Sequence, residues 1–188
     1  AASDVYKRQD PVLFKFGQKV LMMSATILNK DAFCESLGID KSECAFISLP
    51  TPFPAKNRPV IAVSMGRMVQ AEIDSTLPKL VQGIKQILAE HKGEKGIIHA
   101  HSYKIANYIK RSIRDNRILV HDSSNREEVL KKHMRGSEPT VLLSPSMTEG
   151  VDLVDDASRF QIICKIPYPY LGDKLVKKRM NKWKWWYS

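Results

Sequence analysis

Short apolar runs alternate with longer amphipathic segments through most of the chain. The runs at 96–100, 117–120, 141–143 and 161–166 are predicted strands, and helical periodicity fills the intervals between the first three. A further helix follows Leu77 and Pro78 and ends near Glu90, and another starts at Asp173. The apolar positions that share a helix face are Leu80, Ile84, Ile87 and Leu88, and then Ile105, Ile109 and Ile113. This alternation predicts an α/β fold with a parallel sheet flanked by helices.

The first 60 residues follow a different pattern. The apolar run at 20–23 is a predicted buried strand, and 31–37 is a predicted short helix that Gly38 closes. Closely spaced prolines then oppose both helix and central strand, so we place an interdomain linker at 48–59.

Two predicted helices begin with residues suited to capping. Ser102 precedes the helix that carries Ile105, and Ser124 with Glu127 has the spacing of a capping box for a helix ending near Gly136.

Polar clusters follow three of the predicted strands, at 24–26, 99–103 and 144–152. In parallel sheets, functional residues gather on loops at the carboxyl ends of strands. We therefore take these clusters as the candidate functional residues.

Charge favours a polyanionic partner. The formal net charge is +10, with 30 basic and 20 acidic residues, and half of the excess lies in 173–188. Basic groups near phosphates release condensed counterions, although a solvated basic helix face is the simpler alternative. The apolar fraction of 43% predicts a globular protein, and no apolar run approaches the ~20 residues of a membrane span, so we expect a cytoplasmic protein.

No metal site is predicted. The spacing of Cys34, Cys44 and Cys164 matches no zinc or iron–sulfur pattern, which favours buried thiols. The alternating pair His99 and His101 lacks a third ligand in the sequence.

Three segments carry a family resemblance. Residues 20–27 read V-L-M-M-S-A-T-I, 96–103 read G-I-I-H-A-H-S-Y, and 144–153 read S-P-S-M-T-E-G-V-D-L. In this order they resemble motifs III, IV and V of the XPD/DinG-like branch of superfamily 2 DNA helicases. The third is the most specific, since a hydroxyl-rich loop precedes Glu-Gly-x-Asp. The resemblance spans roughly residues 18 to 188.

The resemblance implies roles for two sets of residues. Those that couple the nucleotide cleft to the second motor domain are Ser24, Ala25 and Thr26 of motif III and Glu149, Gly150 and Asp152 of motif V. Those that contact the nucleic-acid backbone are Ser102, Tyr103, Ser144, Ser146 and Thr148. Hydroxyls and free backbone N–H groups are suited to holding phosphates.

Other helicase motifs are missing from these 188 residues. The sequence contains no G-x-x-x-x-G-K-[ST] phosphate loop, no Asp-Glu-x-His box and no Gln-x-x-Gly-Arg-x-x-Arg segment of motif VI. The resemblance therefore implies that ATP and Mg²⁺ bind the full-length parent, with a first motor domain in cis, and that this chain alone binds neither. Some relatives carry an iron–sulfur cluster in that first domain, and the resemblance leaves its presence here open.

These observations predict a domain layout. Residues 1–9 resemble a translated sequencing adapter, 10–47 are the end of a first RecA-like domain, 48–59 are the linker, and 60–188 are a truncated second RecA-like domain. The expected function of the parent is ATP-driven translocation on single-stranded DNA with duplex unwinding. The alternatives are a non-catalytic RecA-like nucleic-acid-binding module and an unrelated α/β domain.

Overall fold

The computed structural model describes residues 17–24, 27, 29–122, 124–146 and 151–182. Contacts divide the chain into two compact units, one comprising residues 62–169 and the other comprising the residues on either side of that range. The assignment of chain segments to a first and a second motor domain stays a prediction.

The flanking unit contains a short helix, α1 (Lys30–Leu37), which confirms the helix predicted at 31–37. Asn29 caps its start, since its Oδ1 accepts from the N–H of Ala32 at 2.9 Å. Gly38 ends the helix in the left-handed conformation, with φ 72°, a backbone geometry that favours glycine. The N–H of Ile39 then donates to the carbonyl of Cys34 at 2.9 Å, as in a Schellman ending.

The strand predicted at 20–23 is wrong. These four residues carry no strand assignment, and the side chains of Leu21 and Met23 are more than four-fifths exposed. A strand forms through hydrogen bonds to a neighbouring strand, and apolar sequence alone does not provide one. The predicted linker at 48–59 is exposed, and within it only Ala55–Asn57 forms a short 3₁₀ turn.

Residues 62–169 contain a parallel sheet, which confirms the predicted α/β class. Its strands are β1 (Gly96–His99), β2 (Ile118–Val120), β3 (Val141–Ser144) and β4 (Phe160–Ile163). Their order across the sheet is β2-β3-β1-β4. Strand β4 ends three residues before its predicted boundary, because the ladder with β1 stops at the pair His99 and Ile163.

Three helices flank this sheet: α2 (Ile73–Glu90), α3 (Tyr103–Ser112) and α4 (Arg126–Arg135). Helix α2 includes Leu77 and Pro78, so the prediction that both precede it is wrong. Burial explains the earlier start, since Thr76 and Leu77 are almost fully buried. The Thr76 hydroxyl also bonds to the carbonyls of Arg67 at 3.1 Å and Glu72 at 3.0 Å, which fixes the first turn.

The apolar faces predicted for α2 and α3 form the core. Helix and strand residues are buried together in one cluster. It includes Leu77, Leu80, Val81, Ile84, Leu88, Ile105, Ala106, Ile109 and Ile113 from the helical segments, and Val141 and Leu143 from β3. Ile87 lies at the margin of this cluster. Periodicity therefore located the helix faces correctly where many side chains are buried together.

The capping box predicted at Ser124 and Glu127 does not form. The residue at the N-cap of α4 is Asn125, and its side chain makes no bond to the helix. Instead, the Asp122 carboxylate accepts from the Ser124 hydroxyl at 2.6 Å and from the N–H of Asn125 at 3.2 Å. The aspartate thus competes successfully for the hydroxyl that capping would need.

Helix α5 (Lys174–Lys182) belongs to the flanking unit and confirms the helix predicted from Asp173 onward. The Asp173 carboxylate accepts from the N–H groups of Leu175 at 2.7 Å and Val176 at 3.0 Å, which satisfies the first turn.

Candidate functional site at the carboxyl edge of the sheet

The carboxyl ends of β1 and β3 lie side by side. His99 and Ser144 are register partners, and the N–H of Ala100 donates to the carbonyl of Ser144 at 2.8 Å. On the other side of β1, the N–H of Cys164 donates to the carbonyl of His99 at 3.0 Å. Two of the predicted polar clusters, 99–103 and the beginning of 144–152, therefore start from adjacent strand ends.

Ser144 is buried and bonded to a histidine that follows β2. Its hydroxyl lies 3.1 Å from Nε2 of His121, and both side chains are less than 5% exposed. Nδ1 of the same ring lies 3.4 Å from the carbonyl oxygen of Asp122, which accepts hydrogen bonds only. The tautomer that satisfies both contacts has Nδ1–H donating to Asp122 and Nε2 accepting from the Ser144 hydroxyl.

Sequence reasoning did not identify His121. The available signal was its position: His121 directly follows the apolar strand β2, much as His99 is the last residue of β1. In a parallel sheet, such residues meet at one edge.

The two histidines of the motif IV segment form a stacked pair. The ring centroids of His99 and His101 are 5.7 Å apart, with planes inclined by 14°. Partial burial lowers the pKa of His101, and the nearby His99 and Lys165 lower it further. His101 also has a positive φ of 49°, a conformation uncommon outside glycine. Because its pKa is lowered, His101 is neutral near pH 7, and the positive charge close to this pair is that of Lys165.

Ser102 and Tyr103 lie where α3 begins, directly after this histidine pair. Ser102 is at the N-cap position in extended conformation, as predicted, but its side chain makes no capping bond. The Tyr103 side chain is 56% exposed, so its ring is available for contact with a ligand. Their nucleic-acid-binding role stays a prediction.

The predicted motif V residues lie in different environments. Ser144 is buried, whereas Ser146 and Asp152 are exposed. Thr148, Glu149 and Gly150 lie outside the described residues. The roles of these residues stay predictions.

Motif III belongs to the flanking unit. Ser24 is exposed there, and Ala25 and Thr26 lie outside the described residues. Its coupling role also stays a prediction.

The return from β3 to β4 is fastened by a buried histidine. Nε2 of His133 lies 2.7 Å from the carbonyl of Ala157, and Nδ1 lies 2.8 Å from the Thr140 hydroxyl. Burial lowers the pKa of His133. The hydrogen bond to the Ala157 carbonyl partly raises this pKa, and the nearby Lys95 ammonium lowers it further. Lys95 in turn donates to the carbonyls of His133 and Gly136. His133 thus joins Ala157, near the end of the connection that carries motif V, to Thr140, which directly precedes β3.

The cysteine at this edge is not a reactive thiolate. Cys164 is buried, and burial raises the pKa of its thiol to about 12, so the thiol stays protonated near neutral pH.

Within the ranges that the structure describes, no group of three or more His, Cys, Asp or Glu side chains is arranged to hold a metal ion. Among the helices described, none is both long and apolar enough to cross a bilayer.

Comparison with known proteins gives one family and two relatives. The family model for the helicase C-terminal domain matches residues 84–185, more than half of the chain. The chain is 27% identical over 180 residues to ATP-dependent DNA helicase DinG of Photobacterium profundum, covering 88% of this chain and 25% of that protein. It is 24% identical over 167 residues to ATP-dependent DNA helicase YoaA of Escherichia coli, covering 86% of this chain and 26% of that protein.

The chain therefore spans about a quarter of the length of these curated relatives. No solved structure matches it with comparable significance.

Proposed function

Because this chain belongs to the helicase C-terminal domain family, we propose that it carries the end of the first motor domain and most of the second motor domain of an ATP-dependent DNA helicase, and that the second holds single-stranded DNA at the carboxyl edge of its sheet. The observation that carries the proposal is the β1–β3 register, in which His99 pairs with Ser144. The segment resembling motif IV contains the first of these strand ends, and the segment resembling motif V begins at the second.

The chemistry of this edge is suited to a phosphate backbone. Ser102 and Ser146 offer hydroxyl donors, and the positive charge of Lys165 lies near His101. Tyr103 adds an exposed ring on which a base can stack, an interaction worth roughly 1–3 kcal/mol per base.

The ATP-dependent step requires more than these residues supply. The chain contains no phosphate loop, and its described residues contain no cluster for a divalent ion, so this chain alone does not fit a triphosphate with Mg²⁺. We propose that ATP and Mg²⁺ bind the full-length parent between this domain and a first motor domain in cis. When bound, the nucleotide supplies the free energy that shifts the two domains between open and closed arrangements.

In this scheme the chain's own residues transmit the movement. We propose that Ser24, Ala25 and Thr26 couple the nucleotide site to the second domain, and that Glu149, Gly150 and Asp152 act in the same coupling. The bond between His121 and Ser144 holds the start of the motif V loop in the sheet. A movement of the domain then carries Ser144 and the DNA held at this edge with it.

An ATPase assay tests the enzymatic part. We expect no DNA-stimulated hydrolysis by the 188-residue chain and clear hydrolysis by the complete reading frame that contains it. Turnover by the chain alone contradicts the proposed division of labour. A complete protein that binds DNA but never hydrolyses ATP supports the non-catalytic binding module instead.

A pair of tyrosine variants tests the DNA site in the isolated chain. Tyr103→Ala removes the exposed ring, and we expect roughly 5- to 150-fold weaker binding of a fluorescent oligothymidine, the range that corresponds to the loss of one stacked base. Tyr103→Phe keeps the ring and should bind nearly as well as the unmodified chain. Equal affinities for all three proteins exclude Tyr103 from the DNA contact.

A further inference from the structure

A groove on the opposite edge of the sheet has no role in the proposed motor. It runs between the end of α2 and the end of α3, where the chain enters β1 and β2. Basic side chains dominate its charged lining, which consists of Lys85, Lys92, Arg111, Arg114, Arg117 and a single acid, Asp115. At about 3.3 Å per residue, a strand of four residues separates this groove from the carboxyl edge by roughly 10–13 Å.

One of these cations is fully used by the fold. Arg117 donates to the carbonyls of Leu88 at 2.8 Å and of His91 and Lys92 at 2.9 Å each. It also forms an ion pair with Asp115 at 2.8 Å. Arg117 therefore satisfies the carbonyls that end α2 and neutralises the only acid of the groove.

The other four cations are available. Lys85, Lys92, Arg111 and Arg114 are exposed, and none of them forms an ion pair or a side-chain hydrogen bond with another residue that the structure describes. Cations near the end of a helix complement its dipole, but that effect is modest and screened by salt. Four unpaired cations around one groove repel each other, and an anionic partner relieves that repulsion.

We propose that this groove binds the phosphodiester backbone of nucleic acid as a contact separate from the carboxyl edge. The lining favours nucleic acid over an acidic protein. It contains no aromatic side chain, and its larger apolar members, Leu88 and Ile113, are buried. Protein partners generally bury an apolar and aromatic centre, whereas nucleic-acid interfaces are more polar and more positively charged.

The proposal stands independently of the motor, because all groove residues lie in residues 62–169 and none belongs to the motif segments. In a helicase, such a contact would hold a second stretch of DNA, either the displaced strand or the adjoining duplex. It reads no sequence, because backbone phosphates carry no base identity.

Charge-removal variants of the 188-residue chain test the groove. The groove variant is Lys85→Gln, Lys92→Gln, Arg111→Gln and Arg114→Gln together. The matched variant removes the same charge from exposed helix positions that do not line the groove, Lys79→Gln, Lys110→Gln, Lys132→Gln and Arg135→Gln. Circular dichroism and thermal melting establish that both fold. Should the groove variant not fold, Lys92→Gln with Arg114→Gln, compared with Lys110→Gln with Arg135→Gln, repeats the test at half the charge.

The probes are a fluorescent oligothymidine of about 20 nucleotides, a duplex of about 20 base pairs and a polyglutamate peptide, titrated over a range of salt concentrations. We expect the groove variant to bind one of the nucleic acids at least roughly tenfold more weakly, and its salt slope to fall by up to about 3, at ~0.7 per lost phosphate contact on single strands. The matched variant should change far less.

Three outcomes overturn the proposal. Equal losses in the two variants show only the effect of net charge. Unchanged binding by the groove variant excludes the groove. Polyglutamate binding as tight as DNA, and lost in the same variant, assigns the groove to an acidic protein. Because Tyr103→Ala acts at the other edge, loss of DNA binding in that variant alone supports the carboxyl-edge site and leaves the groove without a role.

Discussion

The hydroxyl of Ser144 lies 3.1 Å from Nε2 of His121, which joins the last residue of β3 to the residue that follows β2. Both side chains are buried, so this bond is shielded from water. It fixes the point at which the motif V loop leaves the sheet. A serine that resembles a DNA-binding residue in sequence is thus, in the structure, a buried hydrogen-bond donor.

Removing that hydroxyl should destabilise the domain. Ser144→Ala leaves Nε2 of His121 buried without its partner, and we expect the free energy of unfolding to fall by about 1–3 kcal/mol in urea titrations. Ser146→Ala is the matched control, since Ser146 is exposed, and it should change stability by less than ~0.5 kcal/mol. Adding His121→Phe to Ser144→Ala should recover part of the loss, because both polar partners are then absent. Equal stability of the two serine variants would refute the proposed importance of the bond.

Stability should depend on pH through His133. Its pKa is lowered in the folded chain, so the folded state takes up this proton less readily than the unfolded state, whose histidines titrate near ~6.5. Below that pH the unfolded chain gains a proton that the folded chain lacks, and the free energy of unfolding falls. Above it, the contribution of His133 is constant. Urea midpoints at about pH 5.5 and about pH 7.5, on either side of that value, measure the difference.

Two histidine variants identify the source of that pH dependence. His133→Gln removes the titrating group and should flatten the difference between the two pH values. The pKa of His101 is lowered as well, but that residue is only partly buried, so His101→Gln should flatten it less. The reverse ranking would assign the effect to the carboxyl edge instead of to the burial of His133.

Arg117 should not be replaceable by lysine. Its guanidinium reaches three carbonyls that end α2 and also pairs with Asp115, a combination that a single ammonium cannot reproduce. We expect Arg117→Lys to lower the free energy of unfolding by roughly 2–3 kcal/mol. The pKa of Asp115, now lowered by Arg117, should rise toward its usual value in NMR titrations. Arg67→Lys, at an exposed pair with Glu72, should have almost no effect.

Gly38 and Gly93 provide a test of backbone conformation. Gly38 ends α1 with φ 72°, so Gly38→Ala should destabilise the flanking unit by about 1 kcal/mol. Gly93 has no positive φ, and a methyl group there meets no atom within 4 Å, so Gly93→Ala should be neutral or slightly stabilising. Thermal melting of both variants compares them directly. A similar loss at both positions would contradict the special role of Gly38.

Burial decided which elements could be predicted from the sequence. The faces carrying Leu80, Ile84, Ile105 and Ile109 were correctly identified, because periodicity records which side chains leave water. Pro78 was misleading, because proline is locally preferred at the start of a helix. In the structure the burial of neighbouring residues lets the helix begin before Pro78.

Competition and pairing decided the elements that failed. Ser124 had the spacing of a cap, but the carboxylate two residues earlier took its hydroxyl. Residues 20–23 had the composition of a strand. A strand also needs a neighbouring strand to bond with, and a local sequence pattern cannot show whether one is present.

The candidate site shows the same division. The motif sequences identified Ser102, Tyr103 and Ser144. These residues lie at one edge of the sheet because β1 and β3 are parallel. The partner of Ser144 could not be found in this way. His121 lies 23 residues earlier in the chain, and only the order of strands in the sheet brings the two side chains together.

That strand order also governs the loop after Ser144. Strands β3 and β4 flank β1, so residues 145–159 must pass from one side of the central strand to the other. The passage is tied at its departure by His121 and just before its arrival by the bond between His133 and Ala157. These two ties fix the point where the chain leaves β3 and the point just before it enters β4. Both strands therefore keep their places beside β1 through side-chain hydrogen bonds that lie outside the backbone ladder of the sheet.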